Sequence, residues 1–182
     1  ADSHGDGDWG KIAFNVSKTA SVTLGATTTI KVYDVTGGGH TVVGGTFATT
    51  TAGATVGAGT MEMFDTVVTS GMIDFRPTSP QTVTAGSSKT YQVEASVGGL
   101  ATTKSVSLSI AGPSTSQNAA GNLAAVAGAI GTALSTSVPS IAWADWSDTS
   151  TSHFSSPTTA TDWVNDYLVK TTSLTIGTRA MP

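Results

Sequence analysis

Apolar and polar residues alternate with a period of two through much of the first two-thirds of the chain. In residues 11–17, Ile12, Phe14 and Val16 fall on one face, and Ala13, Asn15 and Ser17 on the other. Residues 27–35 repeat the pattern, with Ile30 and Val32 together and Lys31 and Tyr33 opposite. The cleanest case is 89–97, where Tyr91, Val93, Ala95 and Val97 share one side and Thr90, Gln92, Glu94 and Ser96 the other. Residues 104–110 turn Val106, Leu108 and Ile110 inward and Ser105, Ser107 and Ser109 outward. Strict alternation describes strands with one dry and one wet face, which is the logic of antiparallel sheets rather than of βαβ units. Gly37-Gly38-Gly39, Gly44-Gly45, Pro77, Pro80, Gly86 and Gly98-Gly99 punctuate the runs. The expected fold is all-β: an antiparallel β-sandwich, Ig-like or jelly-roll-like.

The pattern changes after residue 112. Residues 118–134 are nearly all small and apolar, and Leu123, Val126, Ala127, Ile130 and Leu134 recur at helical spacing. A short buried helix within 119–134 is one reading. Gly121, Gly128 and Gly131 oppose it, each costing about 1 kcal/mol relative to Ala in a helix interior. Gly-interrupted strands buried on both faces are the other reading, and both stand. From Ile141 the aromatics gather: Trp143, Trp146, Phe154, Trp163 and Tyr167, among Asp145, Asp148, His153, Asp162 and Asp166. Residues 163–170 and 172–176 suit closing strands. The organisation is therefore an acidic Gly/Asp tail over 1–10, a sandwich core over 11–112, and an extension over 113–182 that is part of the same domain or a small second lobe.

Composition narrows the function. Thr, Ser, Gly and Ala fill 99 of the 182 positions, and charged residues only 11%, against roughly 25% in an average soluble domain. Eight Lys and Arg against twelve Asp and Glu give a net charge of −4 and no basic stripe, which argues against a nucleic-acid partner. Helical bundles and coiled coils need more Leu, Glu, Lys and Arg, and an apolar content of 38% does not fit disorder. No stretch approaches the roughly 18–20 apolar residues of a membrane span. Thr suits long exposed β surfaces because its branched Cβ packs on a pleated face. Such surfaces, with no cysteine, suit a secreted protein whose core needs no staples. The polar first ten residues are not a leader, and Ala1 fits the small residue that leader cleavage leaves, so the expected location is extracellular, at the cell surface.

Two segments carry a resemblance. Thr84-Ala85-Gly86-Ser87-Ser88-Lys89-Thr90-Tyr91-Gln92-Val93 resembles a turn-and-strand unit in large surface proteins of the candidate phyla radiation (Patescibacteria). Trp146-Ser147-Asp148, His153, Thr161-Asp162-Trp163, Asn165 and Tyr167-Leu168-Val169 resemble a module often found near the C-termini of those proteins. The resemblance implies a secreted β-domain of the cell envelope, with no catalytic residues to carry over.

Candidate chemistry is sparse. Asp2, Asp6 and Asp8, with Gly7 sixth from Asp2, resemble the first half of a calcium loop, but its twelfth position is Ala13 rather than a carboxylate. A second oxygen-rich set would draw on Asp145, Asp148, Asp162 and Asp166; turn capping is the plainer role for these residues. No cofactor is expected beyond this calcium. Trp143, Trp146, Trp163 and Tyr167 are candidate glycan contacts, though a sandwich ordinarily buries its Trp. Asn15-Val16-Ser17 is an N-glycosylation sequon. No nucleophile elbow, zinc-protease motif or phosphate loop is present. His4, His40 and His153 form no local catalytic pattern, and Glu62 and Glu94 are the only glutamates, so no enzyme is expected. The leading expectation is a non-enzymatic structural subunit of a surface assembly, a pilus-like filament or S-layer-like coat, forming a homo-oligomer or polymer through edge strands. Ile12, Phe14 and Val16 mark the candidate donated strand; the same segment equally suits the first strand of its own sandwich. A carbohydrate-binding or adhesive module that contacts surface glycans is the alternative, and a virion decoration protein the second alternative.

Overall fold

The computed structural model describes residues 5–24, 30–50, 69–99, 101–110, 121–127, 140–145, 158–166 and 175–180. Its organising element is β1 (Gly7–Lys18), a 12-residue strand that begins inside the segment read as a tail. One edge of β1 pairs antiparallel with β6 (Ser70–Pro77), Ile12 facing Phe75 and Ser17 facing Ser70, and with β7 (Gln81–Val83). The other edge pairs with β10 (Ser105–Ser109) and β11 (Ile141–Asp145). Beyond β6 lies β5 (Gly45–Thr50), and beyond β10 lies β12 (Thr175–Ala180). The large sheet therefore has seven antiparallel strands, with β5 and β12 at its two ends.

A three-stranded sheet of β3 (Lys31–Asp34), flanked by β4 (Thr41–Val43) and β8 (Tyr91–Glu94), covers one face, and β2 (Thr23–Leu24) pairs with β9 (Val97–Gly98) beside it. The alternation is visible in the burial. Val32 is buried and its neighbour Lys31 exposed, while Tyr91, Val93 and Val97 pack on the core. Ala95, expected on the same inward face, is exposed because the strand breaks between β8 and β9. The core between the layers centres on aromatics: Phe75 meets Phe47 at 4.6 Å and Trp9 at 6.3 Å, and Trp9 meets Tyr91 edge-on at 5.0 Å. Tilted and edge-on rings of this kind contribute beyond their buried area.

Trp9 reaches that core because of a bulge. The register between β1 and β11 shifts between Trp9 and Lys11, so Gly10 is the extra residue. The shift places Trp9 on the face of Ile12 and Val16 and leaves Lys11 and Ala13 on the opposite one.

That opposite face is also covered. Residues 121–127 and 158–166 lie over it, and Leu123, Val126 and Trp163 pack on Ala142 and Ala144 of β11. Gly121 bridges to Trp163 and Val164 to Trp143, extending the sheet beyond β11. A short helix α1 (Leu123–Ala127) follows Gly121, so this stretch has a helix and a strand-like bridge side by side. Residues 128–134 lie outside the described residues.

Candidate functional site

Covering the second face of the large sheet encloses charge. β1 and β6 present Lys11, Asp74 and Arg76 to that face, one step along the ladder from the Ile12–Phe75 pair. The Lys11 side chain is fully buried and that of Asp74 only 3% exposed, with Nζ 3.8 Å from Asp74 Oδ2. Arg76 Nε approaches the same oxygen at 3.7 Å. Asp74 Oδ1, also buried, has no hydrogen-bond partner among the described residues. Buried Asp166 closes the group: its Oδ2 accepts a 3.0 Å hydrogen bond from the Ser140 backbone N–H, and the Ser140 carbonyl accepts one of 2.7 Å from Ala13 N–H.

Burial dominates the electrostatics. Loss of water pushes the Lys11 ammonium down to about 8, against the pull of Asp74 and, more weakly, Asp166 towards the charged form. The Asp74 carboxyl is raised by burial, although Lys11 and Arg76 oppose that shift. Arg76 is lowered by the same loss of water. Both members of the Lys11–Asp74 pair are thus moved towards their neutral forms, an amine beside a carboxylic acid. An ion pair in such a place is weak support for stability, because desolvation cancels much of the attraction.

Trp163 is fully buried, which corrects its assignment as a glycan contact: its ring packs on Leu123 and β11 and presents no face to a sugar. Trp143 is half-buried in β11, and Trp146 and Tyr167 lie outside the described residues. Asp8 is buried within β1 rather than in a solvated loop, and Asp6 Oδ1 accepts a hydrogen bond from Ala85 N–H at 2.7 Å. Asp145 is exposed and Asp162 half-buried; Asp2 and Asp148 lie outside the described residues. Among the described residues no group of three His, Asp or Glu is arranged to hold a metal ion. Asn15 is half-buried in mid-strand with neighbours on both edges. Phe14 and Val16 are buried, and Ile12 packs against the core. Their strand is the centre of its own sheet, the second of the two roles the sequence allowed it. His40, which stacks on Tyr33 at 3.9 Å and meets Glu94 at 3.0 Å, sits on the exposed face of the small sheet.

Sequence reasoning missed Lys11, Asp74 and Arg76. A signal existed: Asp74 and Arg76 alternate with Ile73 and Phe75, the mark of a strand with one polar face. Such a face reads as solvated unless another segment is known to cover it. No protein-family model, curated protein or solved structure matches the chain.

Proposed function

We propose that the protein is a non-enzymatic structural subunit of an extracellular surface assembly, a pilus-like filament or an S-layer-like coat, whose sandwiches join edge to edge. The observation that carries this reading is the character of β5. It ends the large sheet, pairs with β6 alone among the described residues, and contains neither a charged residue nor a proline. Edge strands of monomers are ordinarily blunted by Lys, Pro or a bulge, because a bare row of N–H and C=O groups recruits another strand. The strand first considered as a donor, β1, is occupied on both edges by its own chain, so the reading moves the contact from β1 to β5. Low charge over the whole chain lets copies approach with little repulsion.

Negative-stain electron microscopy of the purified protein tests the proposal. Regular fibres or sheets are expected, and Thr46→Lys, at an exposed position of β5, is expected to dissolve them while leaving the fold intact. Monomers alone across a range of concentrations would overturn the proposal and favour the adhesive module. Fibres unaffected by Thr46→Lys would remove β5 as the contact.

A further inference from the structure

The pair at the centre of the large sheet has the makings of a covalent bond. From its geometry we infer that Lys11 and Asp74 condense to an intramolecular amide, cross-linking β1 to β6. Four features of the site carry this. The strands are adjacent and antiparallel, in a fixed register from Ile12–Phe75 to Ser17–Ser70, so the two side chains cannot drift apart. Their reacting groups lie 3.8 Å apart, just outside hydrogen-bond distance, and holding reactants this way replaces a bimolecular encounter with a local one. Asp74 Oδ1 has no hydrogen-bond partner among the described residues, so no hydrogen bond at that oxygen has to be broken when the carboxyl reacts. Finally, both side chains are buried away from water, the competing nucleophile.

The step balances without any outside reagent. The Lys11 ammonium passes one proton to the Asp74 carboxylate, leaving a neutral amine and a carboxylic acid, the forms that burial already favours. The Nζ lone pair attacks Cγ, and the tetrahedral oxyanion forms beside Arg76, whose Nε lies 3.7 Å from Oδ2. A fixed cation at that position stabilises the developing charge. The Nζ–Cγ bond is made and a Cγ–O bond breaks. Of the three ammonium hydrogens, one stays on the amide nitrogen and two leave with the oxygen as water. Asp166 is the further buried carboxyl whose charge acts on Lys11, and in this scheme it takes the role of relaying a proton between nitrogen and departing oxygen. The product is neutral, so it removes a costly buried ion pair and ties together the central strands of the sheet. The inference stands apart from the assembly reading, since an uncross-linked chain could still polymerise and a cross-linked one remain monomeric.

Mass spectrometry of the intact, denatured protein decides it. The expected mass is that of the chain less one water, and an unmodified mass would overturn the inference. Trypsin spares an acylated lysine and an Arg-Pro bond, so it should release residues 1–18 joined to residues 32–89, with fragmentation placing the branch at Lys11 and Asp74. Water lost by cyclisation of an aspartate elsewhere gives no branched peptide, and a branch to another carboxyl would equally sink the assignment. Lys11→Met is expected to restore the full mass and to slow migration on a denaturing gel. The wild-type branched peptide answers the question even where that variant fails to fold.

Discussion

Gly10 lies directly beneath Trp163, so close that a Cβ there would press on its ring and on Leu123. A Cβ at Gly10 would stand 3.1 Å from Trp163 Cη2 and 2.6 Å and 2.7 Å from the two methyls of Leu123. The bulge in β1 is thus the seat on which residues 121–127 and Trp163 rest. Gly10→Ala is expected to destabilise the protein by about 1–3 kcal/mol through overpacking. Urea unfolding followed by tryptophan fluorescence measures this, and an unchanged midpoint would mean that the cover is not seated on β1.

Phe75 is the hinge of the opposite core, 1% exposed and in ring contact with both Trp9 and Phe47. Phe75→Ala is expected to cost about 3–5 kcal/mol, the usual loss for a buried aromatic. Loosening of β5 should accompany it, seen as faster hydrogen exchange at residues 45–47 than in the wild type.

Gly99 turns the chain at φ +70°, and a Cβ there would meet the Ser21 carbonyl oxygen. Gly99→Ala combines a left-handed conformation with that clash, and a loss of about 1–3 kcal/mol is expected. Thermal denaturation by circular dichroism reports it. Gly86, also at positive φ (+69°) but with nothing near its Cβ position, is the control: Gly86→Ala should cost less.

Asp34 holds the turn after β3. Its Oδ1 accepts the Thr36 backbone N–H at 2.9 Å, and Lys89 Nζ lies 3.6 Å from Oδ2. Bonding to Thr36, more than the Lys89 charge, holds the Asp34 carboxyl below its ordinary value. A carboxylate depressed in the folded state stabilises it at any pH above the unfolded value, and that stability is lost as pH falls through the lowered one. Asp34→Ala is therefore expected to cost about 0.5–1.5 kcal/mol at neutral pH. The difference from wild type should shrink below pH 3.8, as followed by denaturant titrations at several acidic pH values.

Thr46→Lys is expected to change stability by less than about 0.5 kcal/mol, as surface substitutions commonly do, and still to abolish assembly. Sedimentation velocity beside thermal melting separates the two effects. A large loss of stability would mean that the substitution disturbs the β5–β6 pair rather than an intermolecular contact.

The strands with one wet face were legible in the sequence, because alternation at period two is a local property. Val32 against Lys31, and Val106 against Ser105 and Ser107, are resolved by their immediate neighbours. The site was not legible. Lys11 stands at the start of an alternating run as an ordinary strand-flanking lysine would, and Asp74 occupies what reads as the solvent face of its strand. Their burial is a tertiary matter: the chain returns over that face, as Leu123 and Trp163 do against Gly10 and β11, in contacts between segments far apart in sequence that no local pattern encodes. Trp163 shows the same gap from the other side. Its polar neighbours made it a candidate glycan contact beside the plainer reading of a core ring, and the bare backbone at Gly10 is what gives it a place to be buried.

The chain by itself determined an all-β, low-charge protein without cysteine, because Thr- and Val-rich alternation and glycine punctuation act over a few residues at a time. Only the tertiary structure decided which strand lies at the centre, which described strands end the large sheet, and that a lysine and an aspartate are buried together. Those are consequences of pairing across long sequence separations, where a one-residue bulge at Gly10 changes the face that the preceding side chains of β1 take.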